Sequence, residues 1–301
     1  MTRFFAIFLL LFFFQTTYSQ KVQAENLSAK TKVYWDANKK FINSVGCYYI
    51  DDQHPITTEK HGKWLFYSLE GTLEEERYYF RDRIHGKQTL YFPDKKTKRQ
   101  MFCVFNVPDS TFNEWNSDGK LIISGLFDMG HPVGDWKYFY DNGFIESEGL
   151  YENGEFDGKW IKYLDPEGIV IRLRYDKKIP QDSTPDLQLL KNRVWEIQNY
   201  KEGLIDGEFV NYAYYSIDKP KSITNYKKGK LDGISIRYYD NGIVYYSQNY
   251  TEGELDGYTR FYYSNGQLKE ERKFLKGVKI GESKFYDENG ELIKKPINKR
   301  P

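Results

Sequence analysis

The sequence is short of the residues that build metal and redox centres, with 2 cysteines, 3 methionines and 4 histidines among 301 residues. Two cysteines far apart in sequence, Cys47 and Cys103, make no disulfide scaffold. Cys103 stands where other repeats carry a ring, so a buried free thiol competes there with a bridge. The histidines are His54, His61, His85 and His131. His61 and His85 each precede a recurring glycine and are expected as solvated loop residues two strands, roughly 10 Å, apart. One zinc needs every ligand within ~2.1 Å, so no metal site and no cofactor is expected. Excess charge is also missing: 44 basic residues face 43 acidic ones. Without a concentrated Lys/Arg field there is no footprint for nucleic acid, and no basic patch that would favour a lipid surface.

Long apolar runs are absent but for one. Phe4 to Phe14 follows the short basic stretch Thr2–Arg3, and Thr17 and Ser19 stand at −3 and −1 of a cut before Gln20. These are the parts of a secretory signal peptide over residues 1–19, and the run is short of the ~20 apolar residues that span a bilayer. The reading is an exported protein (periplasm, cell surface or secreted) with no integral membrane segment after signal removal; the alternative is an anchor left in place. Helical periodicity is nearly absent too. Aromatic residues, mostly Tyr and Phe, make up 18% of the chain, which favours strands.

What is abundant is repetition. Glycines recur at Gly233, Gly257 and Gly281, with a second set at Gly242, Gly266 and Gly290. A fixed period of this size marks one supersecondary unit copied many times. Extended backwards, the register passes through Gly207, Asp182, Gly158, Gly134, Ser110, Gly86 and Gly62. Pro93, Pro180, Pro185 and Pro220 interrupt it. Five residues past the repeat glycine stand Tyr67, Tyr91, Tyr163, Tyr238, Tyr262 and Tyr286; near eleven past it stand Leu73, Leu121, Ile145, Val170, Val244, Leu268 and Leu292. Seven before the next glycine stand Tyr79, Cys103, Tyr151, Tyr175, Tyr226, Tyr250 and Phe274. The predicted fold is all-β, an elongated single-layer antiparallel meander, or solenoid, of 24-residue two-stranded hairpins. Within a repeat the turn is DNG, SNG or ENG; between repeats it is GELDG or a relative.

A three-residue turn ending in left-handed Gly would place all three apolar columns on one face. The other face is then expected to carry exposed rings, Trp64, Trp136 and Trp160 with Phe66, Tyr138, Phe261 and Phe285, together with Glu74, Glu76, Glu146, Glu148, Lys162 and Arg237. Those seven rings are the candidate partner-binding residues, since aromatic side chains dominate interface hot spots. The plainer alternative is that they brace one another across strands. The acidic run Glu74–Glu76 and the Asp-Gly pairs lack the clefts and ligand sets of glycoside or calcium chemistry. No nucleophile motif is present, so no catalytic residue is assigned and an enzyme is not expected.

The segments GKWIKYLDPEG, GYTRFYYSNGQLKEERKFLKG and GESKFYDENGEL resemble the variant MORN repeat, in which Gly, Tyr and Asn-Gly positions fall on Tyr262, Tyr263, Asn265, Gly266, Leu268, Phe274, Gly277 and Gly281. The resemblance implies a non-catalytic binding module or scaffold, related repeats holding proteins or lipids. Proteins with this variant are often classed with antitoxin components of toxin–antitoxin modules. The expected organisation is a signal peptide at 1–19, an N-terminal segment at 20–61 with one eroded repeat, the array at 62–292 (degenerate at about 176–206), and a tail at 293–301. The expected partner is another protein; the alternative is a cell-surface or cell-wall carbohydrate bound through the aromatic face.

Overall fold

A computed structural model describes residues 27–50, 53, 57–212 and 219–294. The signal-peptide reading at 1–19, His54 and most of the tail lie outside them. No helix among the described residues is long and apolar enough to cross a membrane. The chain divides into two compact units, one ending at Pro132 and the other beginning at Val133.

The first unit holds β1 (Thr31–Tyr34), β2 (Ile42–Tyr48), β3 (Lys60–Tyr67), β4 (Leu73–Phe80), β5 (Arg83–Tyr91), β6 (Thr97–Val104), β7 (Val107–Trp115) and β8 (Leu121–Asp128). Each strand pairs antiparallel with the next. The second unit starts with β9 (His131–Phe139), β10 (Ile145–Glu152) and β11 (Glu155–Tyr163). After an insertion it resumes with β12 (Val194–Lys201), β13 (Leu204–Tyr212), β14 (Pro220–Lys227), β15 (Lys230–Tyr238) and β16 (Val244–Thr251). It ends with β17 (Glu254–Tyr262), β18 (Leu268–Leu275), β19 (Val278–Tyr286) and the two-residue β20 (Leu292–Ile293). These also pair antiparallel in chain order. Both units are therefore single-layer meanders of hairpins.

The turns within repeats that end at Gly71, Gly119, Gly143, Gly242, Gly266 and Gly290 are of the three-residue form. Tyr239 N donates to Ile243 O at 2.7 Å and Gly242 N to Tyr239 O at 2.9 Å. Gly242 has φ +86° and Gly266 +91°, the left-handed region that favours glycine. The connection between repeats is tighter than expected. Glu252 and Gly253, at φ +51° and +93°, link β16 to β17 as a two-residue turn with both residues left-handed. Gly233 and Gly257 consequently lie inside strands rather than in loops.

The expectation of one apolar face is overturned by a further bulge. Tyr238 faces Val244, but Arg237 faces Tyr246, so β16 carries one extra residue just after the turn. A one-residue shift moves every following side chain to the other face. Cross-strand partners share a face, and the same shift recurs in β4, β10 and β18. The tyrosines five past the glycine thus lie on one face with Glu76 and Glu148. Tyr163 donates to Glu148 Oε1 at 2.7 Å and Tyr91 to Glu76 Oε2 at 3.3 Å. The column seven before the glycine, Tyr79, Tyr151 and Tyr250, lies on the opposite face with Trp64, Trp136 and Trp160. That opposite face is called the ring face below. Lys162 and Arg237 stay on it as expected; Glu76 and Glu148 do not.

The insertion between β11 and β12 contains α1 (Pro166–Tyr175) and a short 3₁₀ turn, Leu187–Leu189. The sequence explains the helix locally. The Asp165 side chain accepts from Glu167 N and Gly168 N, and Pro166 occupies the first turn, where its missing N–H costs nothing. Ile169 and Val170 are buried beneath it. Val170 and Tyr175 therefore leave the repeat columns to which their spacing assigned them.

Candidate functional site: the ring face

The ring face is built on tryptophan lying over glycine. A Cβ added to Gly46 would sit 2.2 Å from Trp64 Cδ2, and one added to Gly149 would sit 2.2 Å from Trp160 Cδ2. Both indoles are fixed by the backbone: Trp64 Nε1 donates to Cys47 O and Trp160 Nε1 to Leu150 O, each at 2.9 Å. Trp64, Trp136 and Trp160 are 0%, 5% and 6% exposed. The expectation that these three present open rings to a partner is corrected: all three are buried, and for Trp64 and Trp160 glycine on the neighbouring strand lets the indole lie down while its N–H anchors it there. Phe66, Tyr138, Phe261 and Phe285 remain half-buried and reachable.

In the second unit the rings run on across strands. Trp136 lies 5.5 Å from Tyr151, Tyr151 lies 4.9 Å from Phe156, and Phe156 lies 5.1 Å from Tyr200. Phe156 also meets Trp160 edge-on at 4.5 Å. Offset and edge-on pairs of this kind add to the area they bury. A hollow of about 330 Å³ opens above β10, β11 and β12, lined by Tyr138, Glu146, Phe156, Trp160, Lys162 and Tyr200 among others. Burial first, then a hydrogen bond shared between the Tyr138 and Tyr151 hydroxyls, raises the Tyr138 phenol well above its usual range, so it stays a neutral hydroxyl. Lys162 is held by Glu196 Oε1 at 2.9 Å. Phe156 and Tyr200 were not among the expected site residues. Phe156 faces Tyr151 on β10 and stands four residues before Trp160 on β11, so the same alternation puts it on the ring face.

His61 and His85 are not solvated loop residues. His61 is on β3 and 1% exposed, and its Nε2 has no hydrogen-bond partner. It lies 5.3 Å from the Tyr49 ring and 5.2 Å from Phe80. Burial, then the charge of Arg81, lowers its pKa below the ordinary histidine value. His85 is on β5, 4.7 Å from Phe105, and burial lowers its pKa as well. Cys47 and Cys103 are both free thiols. Burial first, then Asp109, pushes the Cys103 thiol up, which leaves it inert at neutral pH.

Strand, three-residue turn, strand, two-residue turn, repeated with rings in register, defines a β-hairpin repeat protein. The family described as MORN repeat variant matches this chain at residues 60–80, 132–153, 231–252, 255–276 and 279–295. The chain is a MORN-variant repeat protein, of a kind whose repeats commonly bind proteins or membranes. Residues 158–168, which end in the helix cap, fall outside those matches. No curated protein matches the sequence. Two solved structures, described as "Crystal Structure of TcdB2-TccC3" and "Crystal Structure of TcdB2-TccC3-Cdc42", align with 85% of this chain at 12% and 9% identity. The chain spans 13% and 14% of their length, with TM-scores of 0.16 and 0.15. Likeness of that size carries no argument.

Proposed function

We propose that this protein is a non-catalytic, exported scaffold that holds another protein against its ring face. The observation behind this reading is the hollow of about 330 Å³ walled by half-buried rings and rimmed by Glu146 and Lys162. Ring-walled pockets with a polar rim are the anatomy of interface hot spots. Export rests on the N-terminal apolar run, and we propose toxin neutralisation as one form of the binding. A glycan is the less favoured occupant, because sugar stacking needs an open ring face and the three indoles are covered.

Crosslinking in the native organism, followed by identification of the species bound, tests the proposal. The expected result is one recurrent protein partner, recovered from the envelope fraction and lost with Tyr138→Ala. Recovery of nothing beyond an untagged control, or of wall polysaccharide alone, would overturn it.

A further inference from the structure

The β3–β4 and β17–β18 hairpins carry a device that the hairpin beneath the hollow lacks. On β4, Glu75 faces Phe66 and Arg77 faces Trp64. The Arg77 guanidinium lies over the Phe66 ring, 5.1 Å from its centre, and pairs with Glu75. On β18, Glu270 faces Phe261 and Arg272 faces Thr259. Arg272 lies 5.3 Å over Phe261 and reaches Glu270 Oε1 at 2.6 Å. Ring, guanidinium and carboxylate therefore form a unit at the same register position in both hairpins. In the β9–β10 hairpin the ring is Tyr138, but the residues facing Tyr138 and Trp136 are Ser147 and Gly149. Both the guanidinium and its carboxylate are replaced by small residues.

The vacancy is only partly refilled. The Trp160 indole lies down over Gly149, and beside it remains the hollow, with Ser147 in its lining. Among the described residues, no lysine or arginine lies over Tyr138, Phe156, Trp160 or Tyr200. A carboxylate is nonetheless at hand. Glu146 is the extra residue of the β10 bulge, lines the same hollow, and has no ion-pair partner among the described residues. The other cation in the lining, Lys162, is already neutralised by Glu196. A second hollow, of about 300 Å³, differs in already containing the chain's own cations: Arg237 and Lys221 line it together with Trp195, Tyr212, Tyr246 and small polar residues.

We propose that the ring-walled hollow receives the guanidinium of an arginine side chain presented by the partner protein, laid over Tyr138 and Phe156 with Glu146 as its carboxylate. The incoming arginine restores from outside the ring–guanidinium–carboxylate unit that Arg77 and Arg272 complete from within. Arginine suits the site better than lysine because its planar cation stacks on rings and is weakly hydrated. The inference rests on the protein-binding reading and names the side chain that reading requires.

The probe is the peptide acetyl-Gly-Gly-Arg-Gly-Gly-amide, titrated into the full chain while tyrosine and phenylalanine ring resonances are followed by NMR. The controls are its citrulline analogue, which keeps the shape but not the charge, and free arginine. The expected result is saturable shifts confined to rings of the hollow, with the citrulline peptide about two- to fivefold weaker, the range of a solvent-accessible cation–π contact. Glu146→Gln, an exposed substitution that leaves the fold intact, weakens the arginine peptide by a similar factor, and Phe156→Leu does the same. Equal response to arginine and citrulline peptides, no response, or binding of free arginine but not of the peptide overturns the proposal. If the crosslinked partner binds Glu146→Gln as tightly as the native chain, the scaffold reading stands and the arginine pocket falls. If no partner is recovered at all, the scaffold reading itself falls.

Discussion

Gly149 lies flat against the indole of Trp160, so closely that a methyl group there would overlap Cδ2 and Cε2 at 2.2 and 2.4 Å. The indole in turn donates to Leu150 O, the carbonyl next along the same strand. Glycine and tryptophan on adjacent strands thus act as one packing element, and the ring becomes a strut.

Gly149→Ala should destabilise the second unit by about 1–3 kcal/mol, the usual cost of overpacking. Trp160→Ala should cost about 3–5 kcal/mol, as for large ring deletions. Gly46→Ala should do in the first unit what Gly149→Ala does in the second, since Trp64 lies 2.2 Å from its added Cβ. Urea unfolding followed by circular dichroism reads all three. A neutral result for both glycine variants would mean the indoles are free to stand up.

The turn within each repeat should be sensitive to its last residue. Gly266 has φ +91°, and alanine there should cost about 1–2 kcal/mol of backbone strain. A shift in the urea midpoint without a change in slope is the expected signature. A substitution at Gly266 that leaves the midpoint unmoved would show that the turn relaxes to another form.

A column of asparagines closes the bulges around the repeat glycines. Asn199 Nδ2 donates to Glu208 O at 2.7 Å and Asn225 Nδ2 to Ile234 O at 2.8 Å. Their Cβ atoms sit 3.3 and 3.2 Å from where Gly207 and Gly233 would carry one. Asn225→Ala should therefore cost about 1 kcal/mol, the net worth of one such bond. Asn225→Asp, which keeps the shape and loses the donor, should cost at least as much.

His61 makes the first unit acid-sensitive. In the folded chain its pKa is lowered by burial and by Arg81, while the unfolded chain binds a proton near the ordinary value of about 6.5. Above that pH neither state is charged and His61 contributes no pH dependence. As pH falls from about 6.5 toward the depressed folded value, the unfolded state gains protons first and stability declines. The groups facing His61 are Tyr49, Phe80, Arg81 and, favouring the charged form, Glu59. The urea midpoint should drop between about pH 6.5 and 5, and His61→Phe should flatten that part of the profile. An unchanged slope in His61→Phe would assign the effect to His85 instead.

Much of this architecture is legible in the sequence because glycine and Asn-Gly spacing reports turns directly. The three-residue turns at Gly242 and Gly266 and the strands flanking them follow from it. Which face each column takes does not, because one extra residue, such as Tyr245 in β16 or Glu146 in β10, reverses the alternation without changing the period. The burial of Trp64 and Trp160 was hidden for a related reason. It depends on Gly46 and Gly149, strand glycines outside the turn pattern whose only signal is the absence of a side chain. The helix at Pro166 was announced by Asp165–Pro166, a capping signal masked by its likeness to a repeat turn.

The turns are also stitched to one another. Tyr140 donates to Tyr163 O, Tyr239 to Tyr262 O and Tyr263 to Tyr286 O, and Asn241 and Asn265 reach Ser264 O and Glu288 O. In the last turn Asp287 takes the tyrosine's place and accepts instead from its own Asn289 and Glu291 amides. The cassettes at Tyr140, Tyr239 and Tyr263 therefore carry a forward-reaching hook that meets a waiting eye, and the one at Asp287 folds its hook inward. Excising residues 240–263 leaves Tyr239 joined directly to Ser264, so hooks and eyes still meet in register. Such a chain can gain or shed a cassette between generations and keep its seams closed, which makes its length as adjustable as its surface.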